Sequence, residues 1–136
     1  MRVIDIASKA EVSPHTVRYY TKLGMLLPSV DDVNGYKVYV KSDLMRLRFI
    51  MHAKSLGFTL NEIQDILSDS EQGKTPCPNV RGLLQHRIKE NRQKIKELQT
   101  LQKRMEDALK EWENMPDQLP TGDVVCHLIE SVSQTK

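Results

Sequence analysis

Aromatic side chains are scarce in this sequence, only 5% of its 136 residues. That is thin for a β-sandwich, whose strands lean on aromatic and β-branched residues, and it leaves a small helical core as the natural use of an apolar content of 39%. Cysteine is nearly absent. Cys77 and Cys126 are too few and too far apart for a disulfide framework. No apolar run approaches the roughly 20 residues that a membrane span needs, and the start, Met1 to Ser13, has neither an apolar stretch nor a small-residue cleavage site. The expectation is a cytoplasmic chain with reduced thiols and no membrane partner. A Gly-rich phosphate loop, a nucleophile elbow and a clustered acid–base pair are all missing, which points away from an enzyme. Net charge is only +2, so bulk charge does not argue for nucleic acid and the placement of the charges matters more.

What is present is clear punctuation. Ser13-Pro14 reads as an N-cap followed by a first-turn proline, and Gly24 stops the helix they open. Asn34-Gly35 signals a tight hairpin between Leu26–Val30 and Tyr36–Val40, the second of which alternates with the period of a strand. Ser42-Asp43 opens another helix, with Leu44, Leu47, Phe49, Ile50, Ala53 and Leu56 at helical spacing and Gly57 at its end. Thr59 and Glu62 form a capping box for a short helix through Ile63, Ile66 and Leu67. Ser68 to Pro78 is polar and reads as a linker.

A single long helix is predicted next, over 79–114. From Leu84 through Ile88, Asn91, Ile95, Leu98, Gln102, Met105 and Leu109 to Trp112 the seam residues step by four and three in turn. That is a heptad stripe, along a helix of roughly 50 Å. One narrow apolar seam on so long a helix needs a partner helix, and the chain has no second one. A coiled coil with another copy of the same chain is the economical inference. Asn91 and Gln102 are either tolerated in a wet seam or fix its register. His86 lies between apolar positions of this helix and reads as a flank residue. Trp112 and Met105 read as seam.

Residues 3–23 have the pattern of a helix-turn-helix. The first helix is expected to present Ile4 and Ala7 on one face. In the second, Val17 and Tyr20 turn inward, while His15, Thr16, Arg18 and Tyr19 can reach base edges and phosphates. The hairpin that follows would serve as a wing, with Lys37 paired to a phosphate and the Tyr36 hydroxyl donating to one. The rival reading, a coiled-coil adaptor, leaves the wing and the first helix pair unexplained.

Val17-Arg18-Tyr19-Tyr20, Leu23-Gly24-Met25-Leu26, Asn34-Gly35-Tyr36-Lys37-Val38-Tyr39 and Leu56-Gly57-Phe58-Thr59-Leu60, in that order, resemble the MerR family of transcription regulators. The resemblance spans residues 1 to about 68 and continues more loosely to Cys126-His127-Leu128-Ile129. It implies a mainly α fold: a winged helix-turn-helix at 1–70 containing a second helix pair, a linker at 71–78, a dimerisation helix at 79–114 in an antiparallel coiled coil, and an effector-binding loop and tail at 115–136. It implies a homodimer that binds an inverted repeat in promoter DNA and, when induced, bends and underwinds it so that RNA polymerase can engage. Carried over by position, Arg18, Tyr19, Tyr36, Lys37 and Lys54 fall on DNA-contacting places. Where the family often has arginine, at 37 and 54, this chain has lysine, which keeps the charge and loses the bidentate fork.

The resemblance also implies a sensor. Metal-sensing members carry a cysteine before the long helix and further ligands after it, and here Cys77 and Cys126 occupy the first and last of those places. With His127 they would supply three ligands for a divalent ion such as zinc, cadmium, lead or mercury, drawn from both chains of the dimer. The cysteine that usually follows the long helix is absent from Glu111 to Asp117. Thiol redox or electrophile sensing, and two inert cysteines packed as small hydrophobes, remain as alternatives.

Overall fold

In the computed structural model, residues 1–133 are described. The chain divides into two compact units, Met1–Leu84 and the remainder from Gln85. Among the described residues six helices and one two-stranded sheet follow in the order α1 (Val3–Ala10), α2 (Pro14–Lys22), β1 (Ser29–Val30), β2 (Lys37–Val38), α3 (Lys41–Ser55), α4 (Leu60–Glu71), α5 (Cys77–Trp112) and α6 (His127–Glu130).

The first unit is built on one core. α1 packs on α2 and α3, and α3 on α4. Ile6, Val17, Met25, Leu26, Tyr39, Leu47, Ile50 and Ile63 are the fully enclosed large side chains, and Val80, Leu83 and Leu84 from the start of α5 pack against their edge. The predicted inward residues Val17 and Tyr20 are both buried. The predicted face of α1 is corrected. Ala7 is buried, but its companion is Ile6, while Ile4 is 70% exposed. With apolar residues at 3, 4, 6, 7 and 10, an eight-residue helix offers more than one plausible stripe, and docking against α2 selects between them.

Helix ends follow the predicted punctuation. The Thr59 backbone N–H donates to Glu62 Oε1 at 2.8 Å and the Glu62 N–H to Thr59 Oγ1 at 3.2 Å, which completes the capping box. Gly24 and Gly57 close α2 and α3 in left-handed conformation. At the second, the Phe58 N–H reaches back to the Ala53 carbonyl and the Gly57 N–H to that of Lys54, a Schellman closure that carries Phe58 into the core. The same closure ends α1 at Glu11, where φ is +58 on a residue with a Cβ.

Three boundaries differ from expectation. α4 runs to Glu71, because Ser68 to Ser70 contain no breaker and Gly73 is the first residue that can end the helix. Its last residue pairs with Arg46, whose Nε also donates to the Met25 carbonyl at 2.9 Å. α5 begins at Cys77 and ends at Trp112. Pro78 lies in its first turn, where a missing N–H removes no hydrogen bond.

The third difference is the wing. β1 and β2 pair antiparallel over two residues each, Ser29 with Val38 and Val30 with Lys37, so six residues connect them and Asn34-Gly35 lies within that loop instead of forming a tight turn by itself. A two-residue type I′ turn needs positive φ at both central positions, and here only Gly35 has it. Local side-chain acceptors offer the backbone another route: Asp31 Oδ1 takes the Val33 N–H at 2.8 Å and Asn34 Oδ1 takes the Tyr36 N–H at 3.0 Å. The Tyr36 carbonyl then accepts from the Asp31 N–H.

The wing is anchored by two buried side chains. Tyr39 is 1% exposed, and its hydroxyl meets Thr21 Oγ1 at 2.7 Å. Since Thr21 donates its own proton to the Val17 carbonyl, the tyrosine is the donor to Thr21, which ties β2 to α2. Asp43 is 3% exposed, and its carboxylate accepts from the Leu27 N–H at 3.2 Å and the Val40 N–H at 2.9 Å. Those two residues are the roots of the wing.

α5, whose first turns belong to the first unit and whose remainder belongs to the second, is an uninterrupted helix of 36 residues, about 54 Å long. None of its residues is buried, and Leu98 at mid-seam is 65% exposed. No helix among the described residues is long and apolar enough to cross a membrane.

Candidate nucleic-acid interface and sensing residues

α2 turns one face to solvent. Ser13 caps it by accepting the Thr16 N–H at 3.1 Å, with the Ser13 and Thr16 hydroxyls 3.0 Å apart. The Thr16 hydroxyl is therefore engaged in the cap. His15, Arg18 and Tyr19 are exposed, and so is Lys22, one turn further along the same stripe. Behind them Tyr20 faces the core. Burial pushes its hydroxyl above the ordinary tyrosine value, and Tyr19, edge-on at 5.2 Å between ring centroids, adds to the shift. The phenol stays neutral, as an enclosed hydroxyl should.

Arg18 shares an open groove with the wing, lined also by Arg2, Val3, Ile4, Gly35, Tyr36 and Lys37. The Arg2 guanidinium lies 4.5 Å from the Tyr36 ring centroid, a cation–π contact that joins the start of α1 to the wing loop. Three cations and an aromatic hydroxyl thus line one trough whose lining includes no carboxylate. Such a surface suits the phosphate backbone of a duplex. Sequence reasoning missed Arg2 and Lys22. A lone arginine ahead of a helix gives no signal of its own, but Lys22 falls on the helical stripe of His15, Arg18 and Tyr19 and was findable there. Lys54 is exposed in the last turn of α3 and is not part of the groove lining.

Cys77 is exposed at the first position of α5, and its N–H is capped by Thr75 Oγ1 at 3.4 Å. Cys126 is half-buried immediately before α6, and its N–H donates to Glu130 Oε2 at 2.8 Å. His127 Nε2 lies 2.9 Å from the Pro116 carbonyl. A carbonyl only accepts, so that nitrogen carries the proton, and Nδ1 is left with the lone pair that could bind a metal. Within either unit the described residues gather no three of His, Cys, Asp and Glu at a spacing fit for an ion. His86 pairs with Glu90 on its own helix at 2.5 Å, as a flank residue does.

Comparison with known proteins adds the family. A model described as MerR HTH family regulatory protein matches residues 1–70, and one described as MerR, DNA binding matches 44–108. The HTH-type transcriptional regulator ZntR of Escherichia coli strain K12 is 36% identical over 136 residues, covering 98% of this chain and 92% of that protein. The mercuric resistance operon regulatory protein of Pseudomonas fluorescens is 34% identical, covering 93% of this chain and 83% of its own length. Among solved structures, the transcription regulator PbrR691 from Ralstonia metallidurans CH34, in complex with lead(II), superposes with a TM-score of 0.74 at 26% identity, over 98% of this chain and 99% of that one. With its exposed α2, the wing beside it and its long helix, the chain belongs to the MerR family of DNA-binding transcription regulators.

Proposed function

We propose that this chain is a homodimeric regulator that reads an inverted repeat with α2 and the wing, and that a divalent thiophilic ion induces it to distort promoter DNA for RNA polymerase. The groove shared by Arg2, Arg18, Tyr36 and Lys37 carries the DNA half of this reading. Lys37→Ala is expected to weaken binding to every duplex and to lower the salt slope by about 1, the release of one phosphate contact. Arg18→Ala is expected to relax sequence choice by about 1–3 kcal/mol, as loss of a base contact does. Fluorescence anisotropy on operator and scrambled duplexes across a salt series separates the two. An unchanged salt slope in Lys37→Ala would remove the wing from the interface.

The sensing half rests on His127. Its ring is fixed on Pro116 with Nδ1 open, next in sequence to Cys126. A metal-ligating histidine commonly donates its other nitrogen to a carbonyl in this way, which sets both tautomer and orientation. Cys126 and His127 supply a thiolate and an imidazole from the tail, and Cys77 at the head of α5 supplies a second thiolate. Soft sulfur with imidazole suits zinc, cadmium, lead or mercury. A relative named for mercuric resistance and a structural neighbour bound to lead support the class of inducer. In the dimer, Cys77 of one chain and the tail of the other would close the site, so that ion binding biases the angle between the two readers.

Titration of reduced protein with zinc or lead under strong reductant tests this. Stoichiometric binding is expected, abolished by Cys77→Ser or Cys126→Ser and weakened by His127→Ala, with operator binding by the apoprotein nearly unchanged in all three. Absence of binding, with induction by an oxidant instead, would replace the metal with thiol chemistry.

A further inference from the structure

The seam of α5 carries more information than its apolar character. Two of its positions are carboxamides, Asn91 and Gln102, and two near its ends are a cation and an indole, Arg81 and Trp112. Gln102 Nε2 donates to Glu106 Oε1 at 2.9 Å along its own helix, which leaves the Gln102 carbonyl oxygen as the end that can accept. Ile95, Leu98, Met105 and Leu109 between and beyond them are all more than half exposed, and Gln102 lines the same shallow groove as Ile95 and Leu98.

Resting on the dimer reading above, we propose that a second copy seats antiparallel on this face in one register, set by a reciprocal hydrogen bond between Asn91 of each protomer and Gln102 of the other. In an antiparallel pair each a position faces a d position, so fixing one layer fixes all the others. With Asn91 opposite Gln102, Arg81 comes to face Trp112, Leu84 faces Leu109, Ile88 faces Met105 and Ile95 faces Leu98. Every layer then matches in kind: carboxamide with carboxamide, cation with π face, apolar with apolar.

The alternatives do not match. Sliding the partner by one heptad in one direction sets Asn91 against Ile95 and Gln102 against Leu84. In the other direction Asn91 meets Leu109 and Gln102 meets Leu98. Both strand two carboxamides per protomer against hydrocarbon, where an unsatisfied buried polar group is costly. A parallel in-register pair keeps the carboxamides together but brings Arg81 against its own copy. A polar layer of this kind gives up some stability and in return excludes other alignments.

A double-mutant cycle on the dimer dissociation constant reads the layer directly. Asn91→Leu and Gln102→Leu should each weaken the dimer on the order of a hundredfold, because each leaves two carboxamides facing leucine across the seam. The double variant Asn91→Leu with Gln102→Leu should return to wild-type affinity or tighter. If the two residues instead face apolar partners, each single change tightens the dimer, and that opposite sign overturns the register. A second measurement is independent of these energies. In a Cys77→Ser, Cys126→Ser background, Ile88→Cys with Met105→Cys should cross-link the dimer under mild oxidation, while Ile88→Cys alone should not. A cross-link in the single variant means a parallel pair. Wild-type protein that sediments as a monomer would remove the dimer itself; a wild-type dimer that fails the cycle or the cross-link overturns only the register.

Discussion

Leu98→Asp is expected to yield a folded monomer that has lost operator binding. Leu98 lies in the middle of the α5 seam and is 65% exposed in the single chain, so aspartate there is solvated and harmless to the protomer. In the proposed dimer the same position lies beside the two-fold axis, against Ile95 of the partner. Two carboxylates would be drawn out of water close to each other, with no cation in the layer to meet them. The reader does not depend on this residue, since its core is closed by side chains from α1 to the first turns of α5. The loss at DNA is therefore one of linkage between two half-site contacts. That linkage is worth on the order of 10²–10⁴ in affinity when both sites can be engaged together. Sedimentation and operator titration of the variant, with circular dichroism to verify folding, check it. A Leu98→Asp protein that still sediments as a dimer would end the coiled-coil assignment, whatever its register.

The fold was legible where local chemistry leaves one choice. Gly57, followed by Thr59 and Glu62, can hardly be read except as one helix closing and another opening, and the structure has both. The alternation of four and three from Leu84 to Trp112 is long enough to demand a straight helix with one face. Legibility fell where choices are settled by tertiary partners. The apolar residues of α1 fit more than one stripe, and only the packed core puts Ile6 inside and Ile4 out. Asn34-Gly35 carries the residues of a two-residue turn, yet Asp31 and Asn34 bond their own neighbours and open it into a six-residue loop.

The candidate site divides in the same way. His15, Arg18, Tyr19, Tyr36 and Lys37 are exposed on α2 and the wing, positions that helical periodicity and the hairpin signal reach. Arg2 was invisible because its importance comes from a ring 34 positions away in the chain, over which it stacks. The fixed tautomer of His127 likewise depends on Pro116, eleven residues back across a loop. Asp43 is the sharpest case. As a sequence feature it is an acidic residue opening a helix, favourable for any helix N-terminus. In the structure it is also the clamp of the wing.

That clamp carries the second large effect. Asp43→Ala is expected to destabilise the first unit by about 2–4 kcal/mol, because the Leu27 and Val40 N–H groups lose their acceptor in a place water barely reaches. The damage should extend to function. Leu27 precedes β1 and Val40 follows β2, so both ends of the hairpin are held by one carboxylate, and the two-residue strands between them are too short to hold themselves. Tyr39, hydrogen-bonded through Thr21, keeps one strand in place but not the other. Operator affinity should fall by about tenfold or more beyond what partial unfolding explains, with a reduced salt slope as Lys37 loses its fixed position. Asp43→Asn should fall between, since one amide oxygen can still accept while the amide nitrogen meets an N–H that it cannot satisfy. Urea unfolding of the three proteins, with anisotropy at a urea-free temperature where each is fully folded, separates stability from binding. An alanine variant within about 0.5 kcal/mol of wild type would mean that the wing is held by Tyr39 alone and that the carboxylate only caps α3.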